Sequence, residues 1–247
     1  MENQEAQKIY GLSANPANKK LAAELEARGA RVVCFPHIET EKAPLDEKST
    51  LLLNDLNEFD WLIFTDVFAA DYFLQMLEEK EFDFFQLDAF RICTLGEAVA
   101  DRLRFAQIHA DVVPVSIEIG AVIASLAAYI GEREMDGKRF LLIKRNRATE
   151  IENVLEQKGA VVTSMEIYRA GISNSNGENA RLKAMLEGGA IDEFVFTAPA
   201  DFFSLEELAS RASLAEILRE TKISATDQIT LQFLRERSLK VSLFNRK

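Results

Sequence analysis

The stretch "FDWLIFTDVFAADYF", residues 59–73, decides how this chain is read. An apolar run ends abruptly on Thr65 and Asp66 and then turns amphipathic, as a buried strand does when it feeds a helix. The run returns as "IDEFVFTAPADFF", residues 191–203, with the same Phe-Thr pair and no aspartate after it. Two strand-to-helix turns of one type, far apart in one chain, point to a duplicated α/β unit.

Working outward, short apolar runs alternate with amphipathic segments from end to end. "IYGLS", "RVVCFP", "WLIFT", "FRICTLG", "RFLLIK", "AVVTSMEIY", "FVFTA", "KISAT" and "KVSLF" read as strands. Between them, segments such as "NKKLAAELEARG", "GEAVADRLRFA", "IGAVIASLAAYIG", "ATEIENVLEQKG" and "SLEELAS" carry apolar residues at helical spacing. Alternation of this kind is the signature of parallel sheets joined by helical crossovers. The two halves also match in register. Gly29 of "LEARGARVV" and Gly159 of "LEQKGAVV" lie 130 positions apart, Phe64 and Phe196 132, and Leu103 and Leu234 131. Each glycine follows a helix, where a left-handed residue is commonly required. Three offsets in order describe a repeat of about half the chain.

Composition narrows the function. The chain has 247 residues, room for two ordinary domains, with 48% hydrophobic and 28% charged residues, the profile of a globular protein. A net charge of −11 argues against a nucleic-acid partner, which would require a dense basic stripe. The one local exception is "KRFLLIKRNR", where Lys144, Arg145 and Arg147 cluster at a strand end as a local positive spot that a solvated loop would equally explain. No apolar segment approaches the ~20 residues needed to span a bilayer. The opening "MENQEAQKIYG" lacks a basic region followed by an apolar one, so a cytoplasmic location is expected. Cys34 and Cys93 stand in apolar runs without metal-site spacing, and His37 and His109 are far apart, so no metal and no disulfide framework are expected.

Taken in order, "FDWLIFTDVFAADYF", "FRICTLGEAVADRL", "GKRFLLIKRNRATEIENVLEQKGAVVTSMEIYRAG", "IDEFVFTAPADFFSLEEL" and "KISATDQITLQFLRERSLKV" resemble the uroporphyrinogen-III synthase family across almost the whole chain. The resemblance implies two flavodoxin-like parallel-sheet domains, internally duplicated and joined by a two-segment hinge. Residues 1–37 with 173–247 would form one domain and 38–172 the other. The crossings would run through "FPHIETEKAP" and "EIYRAGISNSNG", the second reading as a flexible connector because of Gly171, Gly177 and its polar run. The active site would lie in the cleft between the domains.

The implied substrate is hydroxymethylbilane, a linear tetrapyrrole with eight carboxylates. It would be cyclised, with loss of water and inversion of its last ring through a spiro intermediate, without a cofactor and by a monomer. Tyr168 matches the family tyrosine expected to assist departure of the hydroxyl, since a phenol of pKa ~10 is protonated at neutral pH. Thr65, Asp66, Thr197, Ala198 and Thr230 fall at strand-to-helix turns, where unpaired N–H groups hold anions. Lys144 and Arg145 would add positive charge. Each threonine is equally an ordinary helix cap.

The chain also departs from the family pattern. Asp66 and Ala198 take the serine places of the two Phe-Thr-Ser turns, Asp227 a turn glycine and Val99 the counterpart of Thr230, and Ala14 an arginine of the first turn. Asp66 and Asp227 therefore read as caps that close anion sites, and Asp66 as a mark of divergence rather than a catalytic acid. Two alternatives remain open: a member that has lost catalysis and binds tetrapyrroles in a regulatory role, and an unrelated flavodoxin-like protein with Asp66 placed as in a receiver domain.

Overall fold

The computed structural model describes residues 7–44, 47–131, 134–147, 149–172, 176–209 and 211–245. In chain order the elements are β1 (Ile9–Ser13), α1 (Lys19–Ala27), β2 (Arg31–Phe35), β3 (Ile38–Lys42), α2 (Glu47–Asn54), β4 (Trp61–Phe64), α3 (Val67–Glu79), β5 (Arg91–Thr94), α4 (Glu97–Phe105) and α5 (Ile119–Ile130). There follow β6 (Arg139–Arg145), α6 (Glu150–Gln157), β7 (Val161–Ile172), α7 (Asn176–Glu187), β8 (Glu193–Phe196), α8 (Pro199–Leu208), α9 (Arg211–Glu220), β9 (Lys222–Ala225), α10 (Gln228–Arg235) and β10 (Val241–Leu243). Among the described residues no helix is long and apolar enough to cross a membrane.

The chain divides into two compact units, Met1–Glu39 with Gly171–Lys247, and Thr40–Ala170. The first sheet runs β10-β9-β8-β1-β2 and the second β3-β7-β6-β4-β5. β1 pairs in parallel with β2 and β8, and β4 with β5 and β6, so each sheet reverses its winding once, at β1/β8 and at β4/β6. In such sheets ligands settle outside the carboxyl ends of the strands at the reversal.

The register seen in the sequence has a definite structural meaning. It pairs β1-α1-β2 with β6-α6-β7, and β4-α3-β5-α4 with β8 through α10. Each half of the chain therefore gives one parallel βαβ pair to each sheet. Gly29 and Gly159 close α1 and α6 with φ of 86° and 84°, the left-handed conformation that favours glycine.

Period-2 alternation builds the core of the second unit. Leu62, Phe64, Leu141 and Ile143 face α3 and α4, packing on Phe73, Val99 and Leu103. Trp61, Ile63, Phe140 and Leu142 face α5 and α6, packing on Val122, Leu126, Ile151 and Leu155. Burial on both faces explains why these strands are continuously apolar. In the first unit Leu12 and Val195 pack on Leu21 and Leu25 of α1.

Several expectations are corrected. "FPHIETEKAP" contains β3, and "EIYRAGI" belongs to the twelve-residue β7, which runs through Gly171 to Ile172. β3 and β7 are hydrogen-bonded neighbours in the second sheet. Residues 173–175 of the expected connector lie outside the described residues, and Gly177 is in α7. Helix α8 starts at Pro199, earlier than "SLEELAS" suggested, and α2 and α9 were not foreseen.

Candidate active-site residues

In the second unit β4 ends at Phe64, and the next two residues turn the chain into α3. Asp66 is the N-cap of α3, with its Oδ1 accepting the Ala69 N–H at 2.9 Å. The same oxygen accepts the Tyr168 hydroxyl at 2.9 Å, while Oδ2 accepts the Thr65 hydroxyl at 2.9 Å. Tyr168 reaches it because the β6–β7 register slips between Lys144 and Arg145, pairing Lys144 with Glu166 but Arg145 with Tyr168. The extra residue rotates Tyr168 onto the face of Ile167, against regular alternation. Its ring stacks on Tyr72 at 5.5 Å and leans on Phe68 at 5.8 Å.

Tyr168 and Asp66 are both buried. Burial pushes the Asp66 carboxyl upward from its ordinary value, against the pull of the Ala69 N–H, the Tyr168 and Thr65 hydroxyls and the Arg145 charge. Arg145 follows Ile143 toward this face.

Lys144 points to the opposite face and does not sit in a solvated loop. It is 4% exposed, with Nζ donating to the Arg147 carbonyl at 2.8 Å and lying 3.5 Å from Glu152 and 4.0 Å from Glu166. As an inward residue of a central strand it needs partners where it sits, and α6 supplies Glu152. Its charge is neutralised within the fold.

In the first unit the carboxyl ends of β1, β8 and β9 surround a cavity of about 290 Å³ lined by Asn15, Asn18, Lys20, Thr197, Ala198 and Thr226. Thr197 Oγ1 lies 2.8 Å from Asn18 Oδ1 and 2.9 Å from Asp201 Oδ2. Asp201 Oδ2 also accepts the N–H groups of Thr197 at 2.8 Å and Ala198 at 3.1 Å. Thr230 is buried, and its N–H and hydroxyl donate to Asp227 at 2.8 and 2.9 Å. A cap of α10 needs those donors, so Thr230 faces its own helix.

Of the residues singled out in the sequence, Thr65, Asp66, Lys144, Arg145 and Tyr168 lie in the second unit, and Thr197, Ala198 and Thr230 in the first. Asn18, Thr226 and Asp201, which border Thr197 or the cavity of the first unit, were not singled out as site residues from the sequence. The signal for Asp201 was an acid three places after the cap, weakened because Ala198 has no side chain to complete the capping box.

The family profile described as "Uroporphyrinogen-III synthase HemD" matches residues 19–247. The chain belongs to the uroporphyrinogen-III synthase family. A Methanothermobacter thermautotrophicus protein described as "Putative uroporphyrinogen-III synthase" is 26% identical over 91% of this chain and 87% of its own length. The "Porphyrin biosynthesis protein HemD" of Ruminiclostridium josui is 23% identical over 72% of this chain, a match that spans about a third (34%) of that longer protein. The solved Thermus thermophilus uroporphyrinogen III synthase superposes with a TM-score of 0.67 at 20% identity, covering 98% of this chain and 95% of that one. That likeness concerns the fold: a uroporphyrinogen-III synthase family architecture of two mainly parallel sheets.

Proposed function

We propose that this chain is a cyclising lyase of porphyrin biosynthesis, converting hydroxymethylbilane into uroporphyrinogen III with loss of water and inversion of the last ring. The observation that carries this reading is the family match, which runs through both sheets. The reaction calls for no cofactor, because an electron-rich hydroxymethylpyrrole expels its hydroxyl once a proton reaches the oxygen. The protein's task is to hold a flexible substrate in one folded pose and to place that proton. Thr65 and Arg145 in one unit, and Thr197 and Ala198 in the other, stand where substrate carboxylates would be held. The chain is assigned to the cytoplasm and to a monomeric state, the latter tested by size-exclusion chromatography with light scattering.

A second reading is favoured by one observation. Three helix N-termini, those of α3, α8 and α10, already bind carboxylates of the chain itself: Asp66, Asp201 and Asp227. A member that binds tetrapyrroles without turning them over fits that arrangement. Freshly made hydroxymethylbilane separates the two. The enzyme yields the type III isomer well above the type I isomer that forms spontaneously; type I alone removes the catalytic reading and leaves the binding one.

A further inference from the structure

We infer that the cavity of the first unit is a subsite for a single pyrrole ring of the substrate, which gives its N–H to Asn18 and a carboxylate arm to Lys20. The inference rests on the proposed cyclisation for the identity of the ligand, and it names the part of that ligand this unit holds. It starts from a missing hydrogen. Thr197 Oγ1 lies 2.8 Å from Asn18 Oδ1 and 2.9 Å from Asp201 Oδ2, yet a hydroxyl carries one hydrogen for these two acceptors. Asp201 offers a carboxylate and Asn18 a neutral amide, and the charge-assisted bond is the stronger. Asn18 Oδ1 is therefore left without a donor. Turning the amide over does not supply one, because Nδ2 donates to the Ser13 carbonyl at 3.1 Å and the reversed amide would set oxygen against oxygen.

Asn18 is 5% exposed and lines the cavity, so its donor comes from whatever occupies that space. A buried acceptor left unpaired is destabilising, and a ligand N–H that meets it removes the penalty. The other walls narrow the choice of ligand. Lys20 is the cation among the lining residues, and Leu21 and Ala198 add apolar surface. A flat apolar ring that bears one N–H and a carboxylate arm matches all three kinds of wall. At about 290 Å³ the cavity lies at the lower end of small-molecule pockets, which run from ~300 Å³ upward, so it takes one ring and not a whole tetrapyrrole.

Charge sets which way round the ring enters. The N–H groups of Thr197 and Ala198 go to Asp201 at 2.8 and 3.1 Å, which leaves Lys20 to hold the carboxylate arm. Glu24, one turn further along α1, lines the same cavity, and among the described residues it makes no ion pair with Lys20. Its carboxylate repels a second acid arm and turns that arm away from the cavity.

The test titrates the isotope-labelled full chain with a monopyrrole carrying one acetate and one propionate arm, and with its N-methyl analogue. The amide resonances of Asn18 and Thr197 are expected to shift with the monopyrrole, and N-methylation, which removes the donor, to weaken binding about tenfold. Lys20→Gln should weaken binding about fivefold and Glu24→Gln should tighten it, opposite signs that damage to the fold would not produce. With hydroxymethylbilane, Lys20→Gln is expected to raise KM by a similar factor while kcat stays within about twofold, and Lys20→Arg to stay near wild type. No shift at Asn18 and Thr197, an N-methyl analogue bound as tightly as its parent, or Lys20→Gln and Glu24→Gln moving affinity in the same direction overturns the subsite. If wild type forms only the type I isomer while the monopyrrole binds as expected, the cyclisation fails and the subsite stands.

Discussion

Tyr168→Phe removes one oxygen, and paired with a change at Asp66 it reads out the contact between them. The ring stays stacked on Tyr72 and against Phe68, and its burial is unchanged. What the cycle isolates is the 2.9 Å hydrogen bond between the two buried groups. Such a bond contributes about 1 kcal/mol between neutral partners and about 1.5–3 kcal/mol to a charged one. Asp66→Ala removes the same bond together with the cap of α3, itself worth about 1 kcal/mol. In a double-mutant cycle the cap cancels, leaving a coupling of about 1.5–3 kcal/mol when the carboxyl is ionised and about 1 kcal/mol when it is protonated.

The assay is urea unfolding followed by tryptophan fluorescence. The single tryptophan, Trp61, is 3% exposed on β4, five residues before Asp66, and so reports the unit that contains the pair. The folded pKa of Asp66 is raised, so its stabilising contribution is full below the ordinary carboxylate value and is lost as pH rises through the folded one. Asp66→Ala should therefore remove a downward slope of stability with pH, while the coupling to Tyr168 grows across the same range. A coupling below about 0.5 kcal/mol at every pH, the level expected of independent sites, would refute the assigned geometry.

Asp227→Ala strips the acceptor from both the N–H and the hydroxyl of Thr230, and is expected to cost about 1–2 kcal/mol and to speed amide exchange in α10, whereas Asp227→Asn stays within about 0.5 kcal/mol. Unchanged exchange in the alanine variant would show that the cap does not limit opening of this helix. Glu193, with a side chain 2% exposed, accepts from Lys8 at 2.7 Å, Ser224 at 2.5 Å and Lys222 at 3.1 Å. Burial pushes its carboxyl up, but these donors outweigh it and the pKa falls, so the stability it supplies is present above the ordinary carboxylate value and lost as pH falls through the folded one. Glu193→Gln should flatten that acid limb in circular-dichroism melts; a limb identical to wild type would assign it to other carboxylates.

The alternation of buried strands and amphipathic helices was legible because it follows from hydrogen bonding and burial within short segments. The site was legible only in part. Thr65, Asp66 and Thr197 declare themselves by standing where an apolar run meets a helix. Lys144 misled, because a basic cluster at a strand end reads as solvated until the inward turn of one member is known. Tyr168 was legible as a residue and not as a contact, since one slipped register in β7 decides which way it faces.

By itself the sequence determined the α/β class, the half-chain repeat and the family. Each of these rests on periods and spacings written locally along the chain. Only the tertiary structure decided that each half lends a strand pair to each sheet, that Asp201 and Asp227 bind the donors of their own helices, and that the Tyr168 hydroxyl donates to Asp66, 102 positions away. Those outcomes depend on strand order and on a one-residue shift of pairing, which distant parts of the chain settle jointly through packing.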